Sequence, residues 1–187
     1  GTYVDFTGAV RDENALIQRY RGLALFPEVD NAIEDICNEA IVMGSDRKPV
    51  KVGLGSVKLS ETIKNKMQTE FDYVLRLMDF HKKAYEIFRR WYVDSKLYYQ
   101  IIIDEKDPIR GIQELRPIDP TKLKKIRKVI RDKSSTGNQV STVKKIEEYY
   151  VYTNTEQDSV YPTSNTGLNI TKDSIAYASS GLVDANS

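Results

Sequence analysis

The chain has 187 residues, of which 40% are hydrophobic and 29% charged, the balance of an ordinary globular fold with room for one domain or two small ones. Its 28 basic and 27 acidic side chains leave a formal charge of +1, so bulk charge selects no nucleic-acid or membrane partner and any electrostatic signal must be local. One cysteine and one histidine exclude an internal disulfide, a cysteine-based zinc site and any pair of imidazoles, and suit a reducing, cytoplasmic setting.

Gly1 to Asp5 has neither the charged start nor the apolar stretch of a signal peptide, and no apolar run approaches the ~20 residues of a membrane span. Residues 12–24 carry Ala15, Leu16, Tyr20 and Leu23 at helical spacing. Pro27 suits the first turn of a second helix, with Glu28 and Asp30 near its positive end. Val29, Ile33, Ile36, Cys37, Ala40 and Ile41 then repeat every three or four residues, and Gly44 stands where a C-cap belongs. Cys37 lies on that stripe and reads as a core residue, not a reactive thiol. Residues 49–55 alternate like a short strand with Val50, Val52 and Leu54 on one face. Gly53 and Gly55 there match neither glycine-rich phosphate pattern and read as a turn.

The strongest helical signal runs from Ser60, a candidate N-cap, to Asp94. Ile63, Met67, Phe71, Val74, Met78, His81, Tyr85, Phe88 and Tyr92 keep one face, which predicts one long helix or two with a joint near Asp79. Leu77, Phe80, Ala84, Ile87 and Trp91 widen the apolar arc of the second half, which should be the more deeply buried. His81 falls on the stripe and reads as a packed core histidine.

After Ser95 the period changes from 3.6 to 2. Residues 97–103 read as a strand, Asp104 to Pro108 as a turn whose acids form a solvated hairpin tip, and 111–116 as the returning strand. Pro117-Ile118-Asp119-Pro120 is a rigid corner. Residues 122–133 hold seven bases and one acid, residues 134–139 form a loop, and strands follow around 146–153 and 173–178. The fold class is therefore α+β: a helical first half with a long helix over about 60–94, packed on a small, mostly antiparallel β unit over about 97–180. No internal repeat is present.

Catalytic chemistry finds no foothold. A nucleophile–histidine pair would need His81, no G-x-S-x-G elbow exists, and the adjacent Glu147 and Glu148 point to opposite faces of a strand. The residues imply no cofactor, no metal and no small-molecule substrate. The basic run remains. As a strand it places Lys125, Arg127 and Arg131 on one face with Val129, and Lys124 and Lys128 on the other with Ile126 and Ile130. These five bases are the candidate nucleic-acid or partner contacts. The competing reading is a hairpin edge guarded by lysines and partly neutralised by Glu147 and Glu148.

Longer strings carry a resemblance. Residues 26–42, FPEVDNAIEDICNEAIV, resemble the E-V-D-x-A-I-x-x-I-x-x-x-A-I-V helix of T4-like phage portal proteins. Residues 88–95, FRRWYVDS, are similar to a segment of the same family, as are Gly111 to Arg116 with Ile118-Asp119-Pro120 to its G-I-x-E-L-R-x-[IL]-D-P corner. Residues 143–152 and 179–184 match in kind and order. The resemblance implies a non-enzymatic structural subunit of a portal ring, the head–tail connector, typically dodecameric, in the virion and assembled in the host cytoplasm. It implies as partners other portal subunits, the large terminase that supplies the ATPase, major capsid and scaffold proteins, neck proteins, and double-stranded DNA in the full channel. Family members are longer, and this chain resembles the part before the stem, clip and crown: a wing whose residues 1–95 are helical and 96–187 β-rich. A stand-alone nucleic-acid-binding module using residues 122–133 is the alternative.

Overall fold

The computed structural model describes residues 2–4, 10–42, 44, 48–132, 142–153 and 167–181, with the side chains of 2–4, 10–12, 128–132 and 142–146 outside that description. Two short strands, β1 (Thr2–Val4) and β2 (Val10–Asp12), pair antiparallel and lead directly into α1 (Glu13–Leu23). Then come α2 (Pro27–Ala40), α3 (Glu61–Leu77) and α4 (Phe80–Asp94). Six more strands complete the chain: β3 (Lys96–Ile103), β4 (Ile112–Ile118), β5 (Leu123–Asp132), β6 (Thr142–Tyr152), β7 (Leu168–Thr171) and β8 (Ile175–Ser179). The α+β class holds.

The helix boundaries follow local chemistry. Pro27 opens α2, where its missing N–H costs nothing. That helix closes at Ala40, with the Ile41 amide donating to the Cys37 carbonyl, so it stops short of the expected glycine cap at Gly44. Ser60 caps α3 by accepting from the Ile63 amide at 3.5 Å. The joint expected near Asp79 is present: Asp79 adopts φ 47°, a left-handed conformation that an L side chain seldom takes, and it separates α3 from α4. Residues 49–55 form no strand. With no partner strand to take up their backbone hydrogen bonds they run as coil.

The helical core joins Ala24, Ile33 and Cys37 to Tyr85, Phe88 and Val93, bringing α1, α2 and α4 together. Arg89 clamps α4 to α2 through Asp30 at 2.6 Å. As expected, α4 is the better covered helix: Ala84, Ile87 and Asp94 are buried, whereas α3 buries no residue. The Tyr73 hydroxyl ties α3 to the sheet by donating to the Ile112 carbonyl at 2.8 Å.

The β half is two three-stranded antiparallel sheets, ordered β4–β3–β8 and β5–β6–β7. The first opens as the predicted hairpin, with Tyr98 opposite Ile118 and Ile101 opposite Leu115. Strand β8 then returns to the other side of β3, placing Tyr98 opposite Tyr177. The two sheets share one core of Tyr98 and Ile175 from the first and Leu123 and Tyr150 from the second. The Tyr98 ring meets Tyr150 edge-on at 5.8 Å and stacks on Tyr177 at 5.0 Å, geometries that suit the ring quadrupole.

Burial predicts an unequal response to truncation. Ile17 is 1% exposed and Ile109, at the β3–β4 hairpin tip, is 96% exposed. Ile17→Ala will lower unfolding stability in urea by about 2–4 kcal/mol, and Ile109→Ala by less than about 0.5 kcal/mol.

Candidate assembly surface

One guanidinium bridges the helical and β halves. Arg21, on α1, donates from Nε and Nη2 to the two Asp94 carboxylate oxygens at 2.8 and 2.7 Å. It donates from Nη1 and Nη2 to Asp119 at 3.2 and 3.0 Å. Asp94 ends α4 and Asp119 precedes the corner into β5, so one planar fork holds three parts of the fold in a fixed relation. Asp94 is 2% exposed, and a carboxylate so placed requires its partner. Asp119 also accepts from the Thr121 amide and hydroxyl at 2.9 and 2.8 Å. Asn14 donates to the Thr121 carbonyl at 2.9 Å and completes the corner. Burial pushes the Asp119 carboxyl up, but the bonds from Arg21 and Thr121 outweigh it and hold the group below the ordinary carboxylate range. The hydrogen bond to Asp94 raises the Arg21 pKa against its desolvation.

The chain passes from α4 to β3 without a loop. Ser95 takes φ 61° and turns the backbone, and its carbonyl accepts from the Ser180 amide at 2.9 Å. Its buried hydroxyl has no hydrogen-bond partner among the described residues. Lys96, also buried, pairs with Glu13 of α1 and lies 6.0 Å over the Tyr177 ring.

The basic run forms β5 as predicted, and its register places Arg127 opposite Glu148 and Lys128 opposite Glu147. Lys124, Lys125 and Arg127 are exposed; Lys128 and Arg131 stand on the same strand with side chains outside the described residues. Lys172 holds one Glu148 carboxylate oxygen at 2.7 Å, while Lys125 and Arg127 approach the other at 3.8 and 3.9 Å. The Lys172 bond, with the charges of Lys125 and Arg127, keeps Glu148 below the ordinary carboxylate range. Sequence reasoning missed Lys172, because its approach to Glu148 depends on β7 pairing with β6. The acidic hairpin tip is solvated as expected, with Asp104 accepting from the Lys106 amide.

Two single residues divide. Cys37 is fully buried, as expected, and burial pushes its thiol up. His81 is not a core histidine. It is exposed, on the rim of a cavity of about 630 Å³ bounded by Lys48, Val50, Asp72, Arg76 and Asp79. His81 shares a face of α4 with Tyr85 and Phe88, which pack on the helical core, but it stands in the first turn of that helix, one turn ahead of the residues that reach the core. Among the described residues no helix is long and apolar enough to cross a membrane.

These features define an α+β domain whose layers are locked together by ion pairs and whose surface carries charged patches. The family follows from comparison: residues 13–187 match the family described as Bacteriophage T4-like portal protein (Gp20), and the chain belongs to it. It is 39% identical over 173 residues to the portal protein of Vibrio phage KVP40, an alignment covering 90% of this chain and 33% of the relative. It is 28% identical over 151 residues to the portal protein of Salmonella phage ViI, covering 80% of this chain and 27% of the relative. The chain thus spans about a third of the length of these curated relatives.

Two measurements probe the joint. Asp119 is more acidic folded than unfolded, so the stability it gives is complete above its ordinary value and is lost as pH falls through the lower folded one. Being more than a third exposed, it contributes about 1 kcal/mol. Wild type will exceed Asp119→Asn by that amount at neutral pH, and the gap will close below about pH 4; a gap unchanged at pH 2 would contradict the assignment. Ser95→Gly removes both an unpartnered hydroxyl and left-handed strain, and will raise stability by about 1 kcal/mol in the same assay.

Proposed function

We propose that this chain is the wing portion of a subunit of the phage portal ring, the structural connector through which double-stranded DNA is packaged and ejected. The observation that carries this reading is the family match over residues 13–187, supported by two relatives that are both portal proteins. Residues 1–95 are its helical part and 96–187 its β-rich part, with the stem, clip and crown contributed by the rest of the subunit. The whole protein assembles as a dodecameric ring in the virion after meeting its partners in the host cytoplasm. Those partners are the major capsid and scaffold proteins, the neck proteins and the large terminase, which supplies the hydrolysis that moves DNA.

The ion-paired joint suits a passive structural role. Arg21 uses both edges of its guanidinium on groups of its own chain, which stiffens the wing without consuming a substrate. Light scattering on the full-length protein will give the mass of a closed ring near twelve subunits and no nucleotide hydrolysis. A stable monomer would contradict the proposal.

The second reading, a stand-alone nucleic-acid module, draws on the surplus of cations around Glu148. Phosphate binding there would weaken steeply with salt. We expect this chain to show no salt-dependent binding of duplex DNA that depends on Lys124, Lys125, Arg127 and Lys128. Binding abolished by changing all four to Ser would favour the module instead.

A further inference from the structure

Two surfaces of opposite charge are incompletely neutralised among the described residues. The first is the outer side of α2. Ile33 and Cys37 face the helical core, which puts Glu28, Ala32, Asp35 and Glu39, at four-, three- and four-residue spacing, on the exposed stripe opposite. The helix also carries Asp30 and Glu34 and has no basic residue. Asp30 is taken by Arg89; the other four acids make no ion pair among the described residues. Glu39 stands in a last turn without a base, so it meets the negative end of the helix dipole, a local cost that a partner's cations would remove. Val29 and Ile36 flank the stripe in exposed positions, and at its head Leu25 is 83% and Phe26 58% exposed.

The second surface is the cluster around Glu148. Three exposed cations, Lys125, Arg127 and Lys172, share that one carboxylate, and two of them lie beyond hydrogen-bond reach of it. Leu168, opposite Tyr152 in the register, is exposed on the adjoining edge strand.

The signs match, and both surfaces carry apolar neighbours, which suits a protein partner better than a free anion. Because the two surfaces differ, a contact between copies through them is head-to-tail, the kind that closes into a ring when the rotation allows. We propose that in the assembled portal the outer face of α2 on one subunit docks against the Lys125–Arg127–Lys172 cluster of the next. This rests on the ring reading above and names one of its contacts.

Charge reversal in the full-length protein tests it. Asp35→Lys with Glu39→Lys, and separately Lys125→Glu with Arg127→Glu, will each raise the concentration for half-assembly at least about tenfold. All four changes in one polypeptide will restore assembly towards wild type, since each subunit then carries both reversed faces. Carbodiimide treatment of wild-type rings, which needs no variant to fold, will cross-link Asp35 or Glu39 to Lys125 or Lys172 between subunits. Wild-type rings that lack this cross-link, reversals that leave assembly unchanged, or a combined variant that does not recover would each overturn the contact while leaving the portal reading intact. A full-length wild type that never forms rings would overturn both.

Discussion

Everything in this fold hangs on what Arg21 holds. Its partners lie 73 and 98 residues further along the chain, one at the last residue of α4 and the other at the corner before β5. These are the points from which the two sheets depart: Ser95 turns at once into β3, and Pro120 leads into β5. One side chain therefore reaches the starting points of both sheets at once. Asp94 is so deeply buried that the arrangement is close to all-or-none. With the guanidinium in place the carboxylate is satisfied by two charge-assisted bonds; without it an uncompensated charge sits in the interior at a cost of several kcal/mol.

The rest of the structure elaborates that joint. The helical core around Cys37 and the tyrosine-rich core between the sheets are separate clusters, and polar contacts cross between the layers that hold them. Lys96 with Glu13 and Asn14 with Thr121 are two of these contacts. A seam of oriented ion pairs and hydrogen bonds permits few relative positions of the layers it joins, where an apolar seam would tolerate sliding. In the ring proposed above, such rigidity would fix the angle at which a subunit's outer surfaces meet its neighbours.

Much of this was legible in the sequence, and what was not has a physical reason. Local signals served well: Pro27 for the start of α2, the change of period after Ser95, and the opposition of the basic run to Glu147 and Glu148. The strings that resembled the portal family prove to hold the chain's special positions. Asp94 and Ser95 form the joint and its turn, Gly111 sits at φ 74°, and Asp119 with Pro120 makes the corner. The errors came where a local rule met a distant fact. His81 keeps the stripe of Tyr85 and Phe88, but it stands in the first turn of α4, where the core they pack on does not reach. Residues 49–55 alternate as a strand would, yet no neighbour offers a ladder. The pairing of β8 with β3 and of Lys172 with Glu148 depends on which strands become neighbours, and periodicity within a segment carries no such information. Arg21 itself stood in a helix of ordinary amphipathic pattern, with nothing nearby to mark its two partners.

Arg21 and Asp94 act as one unit that joins the helices to the sheets. A double-mutant cycle with Arg21→Met and Asp94→Leu, read by equilibrium unfolding, tests it most directly. Each single change should cost about 3 kcal/mol or more, and the double change should cost no more than either alone, a coupling well above about 1.5 kcal/mol. Additive losses, with coupling near zero, would show that the two residues stabilise the fold independently and do not act as a unit.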